Sequence, residues 1–394
     1  MNLLPRILLL FLCTGLLQAG ETPTMDSPTT SVPAPVAREV PIPDPPEIDA
    51  KSYLLIDANS GEVLAEHDAD ERREPASLTK IMTAYLVFRE LADGHIKLDD
   101  PVLISEKAWR TGGSKMFIEV GDRVPLEDLL KGMIIQSGND ASVALAEHIA
   151  GSEGTFAELM NTYAQRLGMS NSHFADSDGL PQPEHYTTAR DMSLVTAATI
   201  KEFPEYYAWY SQKEFAYNGI EQHNRNLLLY KDDSVDGVKT GYTKAAGYCL
   251  IASAKHGDMR LISVVLGAKS PKARAAASLA LLNYGFRFYE THKLYSADQQ
   301  VETLRVWMGE IEDLPVGPAK AVYVTIPRNK YDKLSATLEK SSDISAPIAK
   351  GDVVGHISIL LDGEEIRQVP LVALRNVAEG GLLQKAKDSV LQWF

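Results

Sequence analysis

Ser77 and Lys80 stand three positions apart and form the first candidate reactive pair of the sequence. Residues 75–82 predict a helix start, because Pro75 suits the first helical position, where its missing N–H needs no partner. Positions i and i+3 share a helix face, so the serine hydroxyl and the lysine amine should be in contact. A neutral amine beside a hydroxyl is a base beside a nucleophile, and the helix dipole favours the anion that forms.

The alternative interpretation is that Ser77 caps the helix and that Lys80 is solvated. Composition alone produces about one or two Ser-x-x-Lys matches in a chain of this length, so the pair by itself favours the cap. Residues 81–91 are apolar almost all round the helix, which indicates burial and would desolvate Lys80 enough for base function near neutral pH. Asp93 and Gly94 are predicted to end the helix.

A second group of chemistry-bearing residues is Ser137-Gly138-Asn139. One predicted helix begins at Pro125 and a second runs over residues 141–151, so the group lies on a short link between them. Ser137 and Asn139 stand on either side of a glycine and can project the same way. The alternative is a helix-capping turn without a catalytic role, which is the commoner use of such residues.

The third group, Lys239-Thr240-Gly241, lies on a predicted strand over residues 235–240. Further strands are predicted at 247–254 and 260–268, with turn signals between them, and the three indicate an antiparallel meander. A helix over residues 272–282 follows. By itself, Lys239 is equally consistent with an exposed strand residue.

The composition of the 394-residue chain is that of a globular protein, with 45% hydrophobic residues and a formal net charge of −14. This acidic balance, without a basic stripe, argues against nucleic acid as a partner. The cysteines are Cys13 and Cys249, so no disulfide scaffold is possible if the N-terminus is removed.

The two ends of the chain carry separate signals. Residues 1–20 predict a secretory signal peptide, with an uncleaved anchor as the alternative, and Leu12 argues against lipidation at Cys13. Residues 21–47, rich in Pro, Thr and Ser, predict an extended linker, and order is expected from Ile48. Residues 48–290 would then form the main domain, and 291–376 a small all-β domain.

Residues 377–394 predict a C-terminal amphipathic helix, formed mainly by 380–394. Lys385, Lys387 and Asp388 lie opposite a broad apolar face, which suits a helix lying on a membrane surface with Trp393 and Phe394 at the headgroup level. The alternative is that this helix packs on the β-domain.

Taken together and in this order, the three groups resemble those of serine-type D-alanyl-D-alanine carboxypeptidases, the low-molecular-mass penicillin-binding proteins. The resemblance covers nearly the whole chain from residue 48 and includes residues 235–241 and 260–263. It implies an α/β (α+β) transpeptidase/β-lactamase-like domain, with an antiparallel sheet flanked by helices, and an all-β C-terminal domain. It also implies removal of the terminal D-Ala from peptidoglycan pentapeptides and acylation by β-lactams.

The resemblance assigns roles to the first two groups. Ser77 would attack the D-Ala-D-Ala carbonyl and form an acyl-enzyme, and Lys80 would accept its proton. Ser137 would pass that proton to the leaving D-Ala nitrogen. Asn139 would hold the substrate backbone. These three catalytic residues and the binding amide need neither a metal nor a cofactor.

The substrate carboxylate is assigned by the resemblance to Lys239, Thr240 and Arg274, since a guanidinium suits a carboxylate. Gly241 and Tyr242 complete the predicted substrate-binding set. The backbone N–H of Tyr242, with that of Ser77, would form the oxyanion hole. Close relatives often carry His where this chain has Tyr242, and that change bears on substrate preference and deacylation rather than on the backbone contact.

Three rival functions share this evidence. A β-lactamase would need a deacylating Glu, and the nearest match, residues 158–161, has the wrong spacing and falls in a predicted helix. A DD-endopeptidase on the same fold stays open, and a catalytically silent binding module is disfavoured by the intact groups.

The expected location is the periplasm, at the outer face of the inner membrane. Cys249 is interpreted as core, and five histidines as structural or exposed: His67, His148, His173, His185 and His223.

Overall fold

The structure is a computed structural model that describes residues 41–341 and 343–391. The predicted signal peptide, most of the predicted linker and residues 392–394 lie outside the described residues. The last part of the linker already contacts the folded chain, because Ile42 packs against a core cluster and the Pro43 carbonyl accepts a hydrogen bond from the Tyr284 hydroxyl at 3.0 Å. Order therefore begins earlier than the predicted Ile48.

The helices and strands of the described chain are numbered in chain order. The helices are α1 (Lys80–Ala92), α2 (Glu106–Arg110), α3 (Leu126–Ile135), α4 (Asn139–Ala150), α5 (Glu153–Arg166), α6 (Ala189–Glu202), α7 (Pro204–Tyr207), α8 (Pro271–Phe288) and α9 (Leu382–Leu391). The strands are β1 (Ser52–Asp57), β2 (Val63–His67), β3 (Pro101–Leu103), β4 (Arg123–Pro125), β5 (Glu214–Tyr217), β6 (Ile220–His223), β7 (Val235–Thr243), β8 (Gly247–His256), β9 (Met259–Ala268), β10 (Tyr289–Tyr295), β11 (Glu302–Arg305), β12 (Asp313–Gly317), β13 (Val322–Pro327), β14 (Leu334–Lys340), β15 (Val353–Leu361) and β16 (Glu364–Ala373).

The central sheet is antiparallel, with strand order β2-β1-β9-β8-β7. The predicted meander is confirmed as β7-β8-β9, and β1 inserts beside β9. One face packs against α8 and the other against α6, giving two apolar clusters, of which the second also includes α1, α3 and α4. Strands buried on both faces explain the nearly continuous apolar run of β9. The predicted fold class, a helix-flanked antiparallel sheet with a C-terminal all-β domain, is confirmed.

The start of α1 differs from the prediction. Residues Ala76–Thr79 form a 3₁₀ turn, and α1 begins at Lys80 rather than near Pro75. The backbone φ of Ala76 is +49°, which a right-handed helix cannot include. Pro75 therefore stands before the turn, where its carbonyl accepts from the Leu78 N–H at 3.2 Å. Ser77 lies on the turn and Lys80 on the first residue of the helix.

The C-terminal β-domain contains a five-stranded sheet of order β11-β12-β16-β15-β14 and the ribbon β10-β13. Its apolar core is separate from the two clusters on the faces of the central sheet. Polar contacts join it to the β1-β2 turn: Thr291 Oγ1 donates to Asp57 Oδ2 at 2.9 Å, and Arg367 Nη1 donates to the Ser60 carbonyl at 2.9 Å. These bonds fix the β-domain against one end of the central sheet.

Helix α9 begins at Leu382, later than the predicted segment. Val377 is 1% exposed in the β-domain core, and its backbone pairs with Ile348, so residues 377–380 continue the β-domain. The carboxyl group of Asp388 is buried and accepts from the Met308 N–H at 2.7 Å, which docks α9 on the β-domain through its polar side. Among the described residues, none of the helices has the length and apolar character needed to cross a membrane.

Candidate active site

The 3₁₀ turn brings the first reactive pair together. In a 3₁₀ turn, side chains at i and i+3 eclipse each other, so Ser77 and Lys80 point the same way. Lys80 Nζ lies 3.1 Å from Ser77 Oγ. The predicted contact between the hydroxyl and the amine is therefore present, on a tighter turn than the sequence indicated.

Lys80 is held by two further oxygen atoms and is 1% exposed. Its Nζ donates to Asn139 Oδ1 at 2.7 Å and to the carbonyl oxygen of Asp178 at 2.5 Å. Burial lowers the pKa of the Lys80 ammonium to about 8, although the nearby carboxyl groups of Asp178, Asp176 and Asp140 act to raise it. A lysine with this pKa is partly neutral at physiological pH.

The link between α3 and α4 carries the second group. Ser137 lies in the link with φ +75°, and Asn139 is the first residue of α4. Within the part of the chain that the structure describes, Ser137 Oγ is buried and has no hydrogen-bond partner. A non-glycine residue in this conformation is strained, and such strain concentrates at functional sites. Asn139 Nδ2 donates to the Gly112 carbonyl at 2.7 Å, which fixes its amide.

Asp140 holds the loop that borders this link. Its carboxylate accepts from the backbone N–H groups of Met116 and Phe117 at 2.8 and 2.9 Å. Gly113 in the same loop has φ +82°, and a Cβ there would lie 2.6 Å from Asn139 Nδ2. The sequence analysis found neither constraint, because both arise from contacts between distant segments.

Strand β7 is the edge of the sheet beside the turn, and it carries the third group. Gly241 lies close to the nucleophile, since a Cβ there would be 3.3 Å from the Ser77 backbone nitrogen. Lys239 is 3% exposed, and its Nζ donates to the Thr240 carbonyl at 3.0 Å. Burial, with the positive charges of Lys80, Arg225 and Arg274, lowers its pKa well below the ordinary value.

Arg274 reaches this strand from α8. Its Nη1 donates to the carbonyl oxygens of Gly241 at 2.9 Å and Cys249 at 3.2 Å, two residues paired across β7 and β8. Tyr242 is 54% exposed and stacks on Tyr248 with ring centroids 4.3 Å apart. The aromatic pair thus forms one wall of the site at the end of β7.

The predicted site residues converge on one cleft of about 460 Å³. Lys80 and Lys239 are buried beside it through the contacts given above. The described residues that line the cleft include no carboxylate, which makes its wall cationic. The predicted residues among them are Ser77, Ser137, Asn139, Thr240, Gly241, Tyr242 and Arg274.

Arg225 is a cleft residue that the sequence analysis missed. It follows the β5-β6 hairpin, and its Nη1 donates to Ser114 Oγ at 2.7 Å. It lies in a polar segment without a recognisable motif, and the hairpin itself was not predicted. Its positive charge joins those of Lys239 and Arg274 at the same cleft.

The loop over residues 176–179 closes the site from the other side. Gly179 has φ +84°, and a Cβ there would lie 1.8 Å from the Ala76 carbonyl oxygen. The hydroxyl groups of Thr83 and Ser142 both donate to the Ser177 carbonyl, at 2.6 and 2.7 Å. The loop is therefore pinned to the 3₁₀ turn, α1 and α4, a role that the sequence did not reveal.

Residues given structural interpretations fall outside the cleft lining. Burial raises the pKa of the Cys249 thiol to about 11, in keeping with a core thiol. Residues 158–161 lie within α5, as predicted. His223 shows a grouping that the sequence spacing did not suggest: its ring and the carboxylates of Glu214 and Glu221 have ligand atoms within 4.8 Å of one another. All three side chains are exposed on the hairpin, and exposed groups of this kind are common without an ion.

Two models of known protein families match the chain. The model of the D-alanyl-D-alanine carboxypeptidase family, peptidase family S11, matches residues 39–270. The model of the C-terminal domain of penicillin-binding protein 5 matches residues 289–379.

Curated relatives and solved structures agree. The chain is 47% identical over 361 residues to D-alanyl-D-alanine carboxypeptidase DacC of Escherichia coli K12, covering 89% of this chain and 90% of that protein. It is 44% identical over 391 residues to DacA of the same strain, with coverages of 97% and 94%. Penicillin binding protein 5 from Haemophilus influenzae superposes with a TM-score of 0.80 at 42% identity, covering 85% of this chain and 99% of that one. The chain therefore belongs to the D-alanyl-D-alanine carboxypeptidase family.

Proposed function

We propose that this protein is a serine DD-carboxypeptidase, which removes the terminal D-Ala from peptidoglycan pentapeptide side chains through an acyl-enzyme, and that β-lactams acylate the same serine. The observation that carries the proposal is the buried Lys80 amine, 3.1 Å from Ser77 Oγ, in a cleft whose lining is cationic. A nucleophile beside a base with a lowered pKa suits acyl transfer. The cationic wall suits a substrate that ends in a free carboxylate.

The hydrogen bonds of Lys80 determine which group can give it a proton. A neutral amine has two N–H groups and one lone pair. The Asn139 amide oxygen and the Asp178 carbonyl oxygen can only accept hydrogen bonds, so they take the two N–H groups. The Ser77 hydroxyl is the one remaining partner, and it can donate. The lone pair of neutral Lys80 is thus directed at the proton that must leave Ser77.

The reaction that follows balances without another reagent. Ser77 Oγ bonds to the penultimate D-Ala carbonyl carbon, and its proton passes to Lys80. The oxyanion is stabilised by the backbone N–H groups of Ser77 and Tyr242. Ser137, whose buried hydroxyl has no partner in the described chain, passes this proton from Lys80 to the departing D-Ala nitrogen as the C–N bond breaks, so that Lys80 is neutral again. Water then hydrolyses the ester and restores Ser77.

The carboxylate end of the substrate is assigned to Thr240, Lys239 and Arg274, with Asn139 holding the substrate backbone. The positive charges of both lysines and of Arg225 and Arg274 act on one another at this cleft. A bound carboxylate relieves that repulsion, so recognition of a free C-terminus is electrostatically favoured.

The test is release of D-Ala from a pentapeptide by the purified protein, beside the Ser77→Ala variant. Release by the wild type alone supports the proposal. Cleavage of cross-linked peptides without release from the pentapeptide would identify a DD-endopeptidase instead. Rapid turnover of penicillin would identify a β-lactamase, although the cleft lining in the described chain offers no carboxylate as a deacylating base.

We also propose that the protein is periplasmic and is attached by α9 to the outer face of the inner membrane, after removal of residues 1–20. Leu382 and Leu383 are 88% and 90% exposed, and Val390 and Leu391 are also exposed. Docking through Asp388 turns these apolar side chains outward, which supports an interfacial position. Truncation after Gly381, which keeps the β-domain contacts, should release the protein from membranes and leave acylation intact. Sedimentation of the truncated, signal-cleaved protein with membranes would place the anchor elsewhere.

A further inference from the structure

Asp178, whose backbone carbonyl contacts the proposed base, has a buried carboxyl group that has no part in the mechanism above. Asp178 is 3% exposed, and its backbone carbonyl accepts from Lys80 Nζ at 2.5 Å. Within the described chain, the hydrogen bond of its carboxyl group comes from the Leu180 N–H, at 2.8 Å to Oδ1. A buried acid with so little hydrogen bonding is costly unless an opposite charge is close.

The loop that carries Asp178 is held in place by hydrogen bonds and close packing. The Asp176 carboxylate accepts from the backbone N–H groups of Asp178 and Gly179, at 3.1 and 2.6 Å. Gly179 packs against the 3₁₀ turn with no space for a side chain. The backbone position of Asp178 is therefore fixed by the same contacts that close the cleft, and the Leu180 N–H holds its carboxyl group.

Lys80 faces charged groups from every element around it. Asp176 and Asp178 act from the loop, Asp140 from α4, Arg225 from the segment after β6 and Lys239 from β7. The carboxyl group of Asp178 faces the Lys80 ammonium, Asp176 and Glu153 of α5.

Among the groups around Lys80, Asp178 has the largest electrostatic effect on it. Asp140 differs in its surroundings, because backbone N–H groups of residues 116 and 117 already neutralise part of its charge. Burial raises the pKa of the Asp178 carboxyl to about 6, whereas the Lys80 charge acts to lower it. Asp178 is therefore mainly ionised at pH 7, where its charge opposes the loss of the Lys80 proton.

We propose that Asp178 is a positioning residue whose negative charge raises the pH at which Lys80 becomes able to accept the Ser77 proton. The proposal rests on the proposed role of Lys80 as the base. Acylation requires neutral Lys80, so its rate rises with pH through the Lys80 transition. Removing the Asp178 charge favours the neutral amine, and the transition moves to lower pH.

The test is the rate of acylation of Ser77 by a labelled penicillin between pH 5 and 10, in the full protein and its Asp178→Asn variant. The amide keeps an oxygen for the Leu180 N–H and removes only the charge. An opposite charge nearby shifts a pKa by about one unit or more, so the rise should move from near pH 8 down by about one unit. At pH 7 the rate, as a fraction of each plateau, should then be roughly fivefold higher in the variant.

Matched variants separate charge from structure. Asp178→Glu keeps the charge and should leave the transition near its wild-type pH. Asp128→Asn removes another partly buried carboxyl group, which faces Glu127 and Lys131 instead of Lys80. This variant should leave the pH dependence of the acylation rate unchanged. If Asp178→Asn fails to fold, Asp178→Ser carries the same expectation, because its hydroxyl can accept the same turn hydrogen bond.

Failure of this proposal can be distinguished from failure of the proposed function. If the neutral variant folds and its rate falls equally at every pH, Asp178 has only a structural role and this proposal is wrong. If the wild type is not acylated at Ser77 at any pH, the proposed function itself is wrong.

Discussion

The candidate cleft and helix α9 depart in different ways from the usual placement of charged and apolar side chains. At the cleft, Lys80 and Lys239 are 1% and 3% exposed, and no carboxylate of the described chain forms a salt bridge with either. On α9, Leu382 and Leu383 are 88% and 90% exposed, while the charged Asp388 is fully buried. Burying a charge and exposing a leucine are both unfavourable for an isolated, soluble domain.

This difference indicates what each region is suited to bind. The positive charges of Arg225 and Arg274 at the cleft favour an anionic ligand that enters it. Exposed leucines on a helix held by its polar side favour an apolar surface that covers it. The two regions are separated by the β-domain, so changes in one should leave the function of the other unaltered, and the predictions below use that independence.

The largest effect is expected for Lys80→Met, which removes the base but keeps much of the side-chain volume. General base catalysis contributes about 10²–10⁴-fold, so acylation by penicillin should slow by that factor. Lys131→Met, which changes a partly exposed lysine paired with Glu127, is the matched control. Stopped-flow acylation rates measure the effect, and an unchanged rate for Lys80→Met would exclude Lys80 as the base.

A somewhat smaller effect is expected for Arg274→Ala on the peptide acid. Losing one partner of a desolvated charge pair costs about 2–5 kcal/mol, or roughly 30-fold to several thousand-fold in kcat/KM. Acylation by an uncharged ester should fall much less. Arg287→Ala, at the exposed end of α8, is the control. Equal losses on both substrates would indicate damage to β7, which Arg274 also contacts, instead of lost carboxylate binding.

A third variant, Gly179→Ala, tests whether the loop over residues 176–179 positions the nucleophile. The added Cβ must displace the Ala76 carbonyl, and a shift of about 1 Å in a reacting group can cost about 100-fold in rate. Gly168→Ala has a similar positive φ but meets no atom within 4 Å. Both variants should lose stability from the left-handed backbone, whereas only Gly179→Ala should lose acylation. Equal acylation rates would contradict the positioning role.

The smallest effect on catalysis is expected for the double variant Leu382→Glu/Leu383→Glu. Each buried leucine contributes about 1.5–3 kcal/mol, so binding to anionic vesicles should be lost while acylation stays at the wild-type rate. Sedimentation with vesicles measures the binding, and Lys385→Gln is the control, since one lysine contributes only about 1 kcal/mol. Vesicle binding that survives the double variant would show that α9 is not the apolar anchor.

The sequence predicted those parts of the site that depend on local spacing. Ser77 and Lys80 are one turn apart in either a 3₁₀ or an α-helix, so their contact did not depend on which formed. Ser137 between two helices and Lys239 on a strand followed in the same way from local patterns. The strands of the meander alternate with clear turn signals, and the helix-flanked antiparallel sheet agrees with that prediction.

The parts that the sequence did not predict depend on contacts between distant segments. The carbonyl of Asp178 binds Lys80, but a contact made by a backbone oxygen cannot be recognised from the residue types. Arg225 reaches the cleft only because the β5-β6 hairpin folds beside Ser114. The positive φ of Ala76, which delays the start of α1, occurs where the loop of Gly179 packs on the turn.

The most direct test of the central claim is to locate the penicillin adduct by mass spectrometry after brief incubation of the purified protein. We predict a single covalent adduct on Ser77, formed more slowly as the pH falls below about 8, and none on the Ser77→Ala variant. An adduct on another residue, or equal labelling of Ser77→Ala, would contradict the assignment of Ser77 as the nucleophile.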